Sequence, residues 1–355
     1  MAPRTEGHKP ITSPFTYSAD VLPILREHCG QCHTPGGIAP MSLLTHRDAV
    51  PWGESLRVEL TAGHMPPWGV DRGTARVRAS ETLSARELNV LLTWATGGTP
   101  PGDAGAEQEP APVAPVWALG EPDTVIGLPS FTLGTDEQEH TAEVTFPGIG
   151  TDRLLRAIDL LPGTPAIVRS ATVDVVSTPS SGGVRAEQLL ALWVPGDEPA
   201  LLVRGAFRIP AGASLRVRLR YRKTWSYEGK AMTDQSRLGL YFAPAPTAPV
   251  RAVTISPARP VTLTQAAHAI AIYPAAALAD TAVVVTATRP GRRAEELLAF
   301  HPRPGWTRRF WFRDPLTLPR GTTLRVRLVP DSPVRATGSR KPDGAAGQVV
   351  VNIVS

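Results

Sequence analysis

Two short stretches of the sequence carry side chains that bind metals or form covalent bonds to cofactors. Residues 29–33 read CGQCH, which places two thiols three positions apart and an imidazole directly after the second. Residues 63–68 read GHMPPW, which places a thioether between an imidazole and two prolines. Thiolates, thioethers and imidazoles are donors that suit iron, copper and zinc in proteins. These stretches therefore predict metal ligation or the covalent attachment of a metal cofactor.

The spacing of the first stretch is that of a c-type haem attachment motif. In this interpretation Cys29 and Cys32 add to the two vinyl groups of one haem, and His33 then reaches one face of the iron. A structural zinc site would need about two further Cys or His ligands, but the chain has no third cysteine and the nearby histidines are not paired. A redox dithiol is expected to follow a strand in a βαβ unit. We therefore predict one haem c per chain, with zinc and a redox dithiol as alternatives.

The second face of the iron requires a ligand from a later loop, and Met65 is the main candidate. A glycine lies two residues before it and two prolines follow it, which holds the loop extended. Thioether and imidazole ligation together raise the reduction potential and favour electron transfer over oxygen activation. Two rivals remain. One is the adjacent His64, and the other is Met41, which lies eight residues after His33 and is expected to pack in the core instead.

Helices are predicted to position these side chains. The run SADVLPILREHCGQCH repeats apolar residues at helical spacing, with Ser18 as its predicted N-cap. This helix would deliver the cysteine motif at its C-terminal end. The run SARELNVLLTWATGG combines a capping box of Ser84 and Glu87 with a Gly97-Gly98 stop. Two helices around a ligand loop predict a small all-α domain.

The character of the sequence changes after this helix. Residues 98–116 are rich in Pro, Ala, Gly and Glu without periodicity, and are predicted to form a linker. Beyond them, alternating segments such as LRVRLRY are separated by turn signals, which predicts an all-β region. IPAGASLRVRL at 209–219 is echoed by LPRGTTLRVRL at 318–328, and RAEQLLA at 185–191 by RAEELLA at 293–299. Two echoes at nearly one offset predict two tandem β-sandwich lobes, 117–246 and 247–355.

The distribution of charge argues against a nucleic-acid-binding protein, and the hydropathy argues against a membrane-spanning helix. The net charge is +5, but the basic residues are scattered along strand-like segments, which argues against nucleic-acid binding and leaves docking to an acidic redox partner open. No apolar run approaches the ~20 residues of a membrane span. The start of the chain, MAPRTEGHKPITSPF, lacks the apolar core of a secretory signal. Haem is nevertheless attached to such motifs outside the bacterial cytoplasmic membrane, so the expected location is periplasmic or cell-surface.

The first part of the chain resembles a known family. The runs FTYSADVLPILREHCGQCHTPGGIAPMSLLTHRDAVPW, GHMPPWG and LSARELNVLLTWATGGTPPGD are similar to a cytochrome c module of bacterial multidomain proteins. The likeness spans roughly residues 14–103 and keeps the order CxxCH, IAPMSLLT, MPPW and a closing helix. It implies a small all-α, class I-like cytochrome c domain, assigned to residues 14–97, with Met65 as the distal iron ligand.

The β region resembles, less closely, the copper type II ascorbate-dependent monooxygenases, the peptidylglycine alpha-hydroxylating monooxygenase family. The likeness rests on LPGTPAIVRSATVDV, IPAGASLRVRLRY, TDQSRLGLYFA, AIAIYPAAAL and LPRGTTLRV. It implies two tandem jelly-roll lobes that each hold one copper. The positions that match the family's copper ligands carry other residues in this chain: Arg169, Ser170, Arg220, Ala275, Ala276 and Ala277. The family's ligands are five His and one Met, whereas only three His and one Met follow the linker here. We therefore expect no copper and no monooxygenase activity.

These features predict a multidomain electron carrier rather than an enzyme. One covalently bound haem would transfer electrons, and the copperless β-module would act as a scaffold or docking surface for redox partner proteins, within a larger redox assembly. The alternative is an oxidoreductase in which the β-module binds substrate and the haem supplies or removes electrons. No GxSxG, HExxH or P-loop motif points to another active site.

Overall fold

The structure is a computed structural model, and it describes residues 12–67, 70–78, 83–103, 116–148, 150–177, 186–244, 246–275, 281–303, 305–330 and 347–355. The chain folds into two compact units. One comprises Met1–Trp68 and Glu81–Val113, and the other comprises Gly69–Ser80 and Ala114–Ser355. The first unit is helical and the second is built from β-sandwiches, so the chain is mostly β.

Short helices surround a single core in the helical unit. The α-helices are α1 (Leu22–His28), α2 (His46–Ala49), α3 (Gly53–Thr61) and α4 (Ala85–Thr96). A π-helical turn, Tyr17–Val21, leads into α1. Trp94 of α4 is fully buried at the centre of this core, with the Tyr17 ring 5.8 Å away. No helix in the described part of the chain is long and apolar enough to cross a membrane.

The predicted capping box of α4 is confirmed. The Ser84 hydroxyl accepts from the Glu87 backbone N–H at 3.2 Å, and the Glu87 carboxylate accepts from the Ser84 backbone N–H at 2.7 Å. Two N–H groups that have no partner within the helix are thereby satisfied. The helix ends before Gly97, at the predicted stop.

The predicted cap of the first helix is wrong. The helical turn already begins at Tyr17, so Ser18 lies inside it. The carboxylate of Asp20 accepts from the backbone N–H of Thr16, the residue before the turn, at 2.8 Å, and the Thr16 side chain makes no capping hydrogen bond. Ser18 instead accepts a hydrogen bond from the Asp103 backbone N–H at 2.9 Å. Sequence reasoning missed this because the partner of Ser18 is distant in the chain.

The segment after α4 is partly held by the helical unit. The carbonyl of Pro100 accepts from the Trp94 indole at 3.1 Å and from the Tyr17 N–H at 2.9 Å. The carbonyl of Thr99 lies 2.8 Å from Nε2 of His46. The predicted linker, 98–116, therefore starts with residues that pack on the helices, and its residues 104–115 lie outside the described part of the chain.

The β unit consists of antiparallel strands. They are β1 (Val70–Arg72), β2 (Thr124–Gly127), β3 (Phe131–Leu133), β4 (Glu139–Phe146), β5 (Arg153–Leu161), β6 (Val168–Ser177), β7 (Ala186–Trp193), β8 (Phe207–Ile209), β9 (Ser214–Arg222), β10 (Met232–Asp234), β11 (Arg237–Phe242), β12 (Arg251–Ile255), β13 (Val261–Thr262), β14 (Ala267–Pro274), β15 (Thr281–Thr288), β16 (Ala294–Phe300), β17 (Phe310–Leu318), β18 (Thr323–Pro330) and β19 (Val349–Val354).

The strands form two lobes of one design. The first lobe has sheets in the orders β2-β11-β5-β8 and β4-β9-β6-β7, and the second has β12-β19-β14-β17 and β13-β18-β15-β16 with β1 added at the edge. Numbered within each lobe, leaving out the short β3–β10 pair and β1, both read 1-8-3-6 and 2-7-4-5, the two-sheet arrangement of a jelly roll. The sequence echoes fall on equivalent strands, β9 with β18 and β7 with β16. The predicted tandem β-sandwich lobes are therefore confirmed.

Strand β9 shows how the alternating pattern builds a lobe. Its apolar residues Leu215, Val217 and Leu219 are buried in the first-lobe core, while the arginines between them lie on the other face. There, Arg216 pairs with Glu187 at 2.7 Å and Arg218 pairs with Asp174 at 2.9 Å. These arginines belong to a strand face with local acidic partners, on which the Arg218 side chain is partly exposed and the Arg216 side chain is largely buried.

One segment of the β unit comes from the middle of the helical sequence. Residues 70–78, which we call the strap, lie between Met65 and α4 in the chain but pair with the second lobe. Within the strap, β1 adds to β16, and Ala75 and Val77 are buried in the second-lobe core. The sequence analysis assigned this segment to the first domain, 14–97. The strap is too short and polar to show a strand pattern, so only its partners reveal where it folds.

Gly73 allows the strap to approach β16. Its φ is +146°, and a Cβ there would lie 2.3 Å from the backbone oxygen of Leu297. On either side, the Ala75 N–H donates to that same oxygen at 3.0 Å and Arg72 pairs with Glu296 at 2.7 Å. Any larger residue at this position must push the strap off the sheet.

We expect Gly73→Ala to lower the free energy of unfolding of the β unit by roughly 3 kcal/mol, because it combines a backbone clash with an unfavourable φ. Denaturant unfolding followed by circular dichroism measures this. Gly291→Ala is the matched control: its φ is +68° but no atom lies within 4 Å of the added Cβ, so it should cost only about 1 kcal/mol. Equal losses in the two variants would contradict the close packing of the strap.

Candidate functional site

The CGQCH motif forms a tight turn at the C-terminal end of α1. The Cys29 N–H closes the helix on the Leu25 carbonyl at 2.9 Å. The Cys29 carbonyl then accepts from the N–H groups of both Cys32, at 3.1 Å, and His33, at 2.8 Å. The His33 carbonyl accepts from the Leu43 N–H at 3.1 Å, which ties the turn to the following loop. Local backbone hydrogen bonds therefore hold together the two cysteines predicted to attach the haem and His33, the predicted iron ligand.

Gly37 keeps the loop after the motif close to the second cysteine. A Cβ at this position would lie 2.5 Å from the backbone oxygen of Cys32, well inside van der Waals contact. The carbonyl of Cys32 also accepts from the Ala39 N–H at 3.2 Å. The TPGG sequence after His33 therefore serves to fold the chain back over the motif.

Both cysteines are half-buried thiols that form no disulfide. Burial, together with the nearby Cys32 thiol, raises the pKa of Cys29 to about 12. A catalytic redox dithiol needs a lowered pKa, because the thiolate is the nucleophile. Zinc ligation also requires thiolates, and the group of side chains in the described residues that could hold a metal ion includes neither cysteine. The raised pKa of Cys29 is therefore the opposite of what a catalytic redox dithiol needs.

The ring of His33 is suited to ligate a metal as a neutral imidazole. Burial lowers the pKa of His33, an effect opposed by the backbone oxygen of Met41. The Nδ1 atom is buried and makes no hydrogen bond of good geometry. A neutral imidazole can ligate a metal through a ring nitrogen.

The three candidates for the second ligand have different environments. Met65 follows α3 and a turn at Gly63, whose φ is +63°, and it is 39% exposed. His64 pairs with Glu59 at 3.1 Å. Met41 packs against the core of the helical unit, as the sequence analysis expected. Met65 is therefore the candidate that is exposed, whereas Met41 packs against the core and His64 pairs with a carboxylate.

One polar contact beside the motif was missed from the sequence. His28, the last residue of α1, lies with its Nε2 3.3 Å from the Glu87 carboxylate, and its side chain is only 7% exposed. Glu87 thus caps α4 and also holds the residue adjacent to Cys29. The capping box indicated the first role, but nothing in the sequence indicates a contact between residues so far apart.

The positions matched to the first copper site lie on neighbouring strands of the first lobe. Ser170 on β6 is the cross-strand partner of Arg220 on β9. The Arg220 guanidinium donates to the Glu139 carboxylate at 2.8 Å and makes a second contact to it at 2.7 Å. Arg169, at a bulge in β6, donates from Nε to the Arg222 carbonyl at 3.0 Å. At the positions matched to the first copper site, Arg220 is therefore paired with a carboxylate and Arg169 is hydrogen-bonded to a backbone carbonyl.

The positions matched to the second copper site follow β14 in the second lobe. Ala275 is exposed, and its N–H donates to the Gln348 carbonyl at 2.9 Å. Ala276 and Ala277 lie outside the described residues. A methyl side chain offers no donor atom to a metal, so Ala275 cannot act as a ligand.

Comparisons with known proteins add little to this picture. No family model and no curated protein matches the sequence. Among solved structures, the chain is similar to a chain in the atomic structure of Sulfolobus Turreted Icosahedral Virus, with 11% identity, a TM-score of 0.16, and coverage of 65% of this chain and 92% of that chain. A TM-score this low supports no inference about fold or function.

Proposed function

We propose that the protein is an electron carrier with one covalently attached haem c in a class I-like cytochrome c domain. The observation that carries the proposal is the turn at the end of α1. It presents two thiols that form no disulfide and a half-buried imidazole, whose pKa is lowered by burial, in a C-x-x-C-H sequence. When bound, the haem supplies one-electron oxidation and reduction.

Different residues would hold the haem by covalent links and by ligation of its iron. Cys29 and Cys32 would hold the haem through thioether links, and His33 would ligate its iron. The tight turn holds His33 beside the two cysteines, and the His33 side chain lies next to the Met41 backbone. Met65 would supply a second ligand from an exposed position after α3. Imidazole and thioether ligation together would suit electron transfer.

The β-sandwich module serves in this proposal as a scaffold or docking surface within a larger redox assembly. Arginines and alanine stand where copper ligands would be needed, and the net charge of +5 suits an acidic redox partner. Because haem is attached to C-x-x-C-H motifs outside the bacterial cytoplasmic membrane, a periplasmic or cell-surface location follows from the proposal.

Denaturing electrophoresis of the protein from a haem-attaching host tests this function. We expect the haem stain to stay with the polypeptide after acid-acetone extraction and to be lost completely in the double variant Cys29→Ala, Cys32→Ala, because both covalent links are removed. The wild-type protein should also show a reversible one-electron couple. A wild-type chain that carries zinc instead of iron, or releases its haem on extraction, would contradict the proposal.

A further inference from the structure

The first lobe contains a partly open cavity whose lining includes charged side chains. It has a volume of about 40 Å³ and is lined by strands β5, β6 and β7, the loop after β7, and two residues of the second lobe, Arg309 and Trp311. Apolar side chains such as Ala171 and Leu190 form most of its wall. Two arginines, Arg156 and Arg309, nevertheless line it as well.

Arg309 is a buried cation without an acidic partner among the described residues. Its side chain is 2% exposed. Two of its nitrogens donate to the backbone carbonyls of Leu190, at 2.8 Å, and Leu189, at 3.0 Å. The rings of Tyr273 and Trp311 lie 4.7 and 5.1 Å from its guanidinium carbon. Burial lowers the pKa of Arg309 to about 10, so it remains charged at neutral pH. Its Nε is buried with no hydrogen-bond partner.

Arg156 brings a second unmatched donor to the same cavity. Its Nε is also buried and also has no hydrogen-bond partner. Of the carboxylates in the lining, Asp197 is already paired with Arg308 at 2.7 Å, and Glu198 is exposed. The cavity is therefore lined by the buried guanidinium of Arg309 and by the buried Nε of the half-buried Arg156, while the largely buried carboxylate of Asp197 already pairs with another arginine. A buried charge without compensation is costly, so this excess of positive charge favours an anionic guest.

We propose that this cavity binds one short-chain carboxylate anion of about acetate size. Its oxygens would accept from the Nε atoms of Arg156 and Arg309, since guanidinium and carboxylate groups form strong charge-assisted hydrogen bonds. Its methyl group would contact the apolar wall around Ala171 and Leu190. The volume of about 40 Å³ limits the guest to a few heavy atoms. Because Arg156 lies in the first lobe and Arg309 comes from the second, the bound anion would link the two lobes.

Water is the competing occupant. A cavity of this size also holds one or more water molecules, which could satisfy both Nε atoms. Water would leave the positive charge uncompensated and would give no dependence on dissolved carboxylate. Only an anion in the cavity makes binding and stability depend on the concentration of carboxylate, and this dependence does not involve the haem.

Equilibrium dialysis of the full-length protein with radiolabelled acetate tests the proposal, in sodium gluconate at constant ionic strength because gluconate is too large for the cavity. We expect saturable binding of one acetate per chain, and a thermal unfolding midpoint that rises with acetate concentration. Arg309→Met should weaken binding at least tenfold, with Arg156→Met tested in its place if that variant does not fold. Arg208→Met, which alters an exposed arginine paired with Asp152, should leave acetate binding unchanged.

Four results would overturn the proposal. Absence of saturable acetate binding to the wild-type protein would leave water as the occupant. Equal binding to the wild type and to the Arg309 or Arg156 variant would place acetate elsewhere. Binding of hexanoate as tight as that of acetate would exclude a cavity of this size, and displacement of acetate by equimolar chloride would indicate a halide site instead.

Discussion

Met65→Ala is expected to leave the haem attached but to change the iron's ligand field and lower its midpoint potential. The covalent links depend on Cys29 and Cys32, which this substitution does not touch. Loss of the thioether removes the ligand that raises the potential of His/Met cytochromes. Axial ligands set haem potentials over roughly 0.8 V, and we expect the change to be a substantial part of that range. The far-red band that reports sulfur-to-iron ligation should disappear.

Met41→Ala and His64→Ala are the matched controls for this prediction. Met41 packs against the core of the helical unit, so its loss should reduce stability and leave the band and the potential nearly unchanged. His64 is paired with Glu59 at 3.1 Å, and its substitution should change neither property. If the far-red band is lost in Met41→Ala and kept in Met65→Ala, Met41 is the ligand and our assignment is wrong. If all three variants keep it, neither methionine ligates the iron.

The local parts of the fold could be predicted because their causes lie close together in the sequence. The capping box of Ser84 and Glu87 spans one helical turn, and its pattern allowed the start of α4 to be placed correctly. The alternation of LRVRLRY predicted a half-buried strand, and β9 is one. The echoed segments predicted two similar lobes because each echo marks an equivalent strand in the two sandwiches.

Features that depend on distant partners could not be predicted. The strap carries little strand pattern of its own, and its place is set by β16 and by the close approach that Gly73 permits. The contact of His28 with Glu87 and the burial of Arg309 among aromatic rings likewise depend on how elements pack. At the candidate site, Cys29, Cys32 and His33 lie in one turn, as their spacing requires. The choice of Met65 over His64 and Met41 was made from the sequence and stays a prediction.

The β-module is expected to bind no copper tightly. Where the resemblance places ligands, the first lobe has Arg169, Ser170 and Arg220. Arginine keeps its proton under ordinary conditions and offers no lone pair to a metal. The Arg220 guanidinium is also held by Glu139 through contacts of 2.8 and 2.7 Å. A copper ion at this place would meet fixed positive charge, which repels it in any dielectric.

The histidines of the β-module cannot replace the missing ligands. His140 pairs with Glu137 at 2.9 Å and stacks on Phe131 in the first lobe. In the second lobe, His301 pairs with Asp71 of the strap at 2.8 Å, and His268 lies on β14. Within the described residues of this unit, no three His, Cys, Asp or Glu side chains lie close enough together to hold a metal ion. Copper needs several imidazole or thioether donors at one point.

Elemental analysis of the full-length protein tests this expectation. The protein is incubated with copper and then dialysed against excess glycine, which removes weakly held ions from exposed groups such as His64. We expect iron at one per chain and copper near zero, and no ascorbate-dependent oxygen uptake with a peptidylglycine substrate. His140→Ala with His301→Ala should leave the copper content unchanged, because neither residue takes part in a site. Two retained coppers per chain that disappear in this double variant would show that the histidines form sites the aligned positions do not reveal. Two retained coppers that persist in the variant, or oxygen uptake that needs ascorbate and the substrate, would show that the matched positions have been placed on the wrong residues.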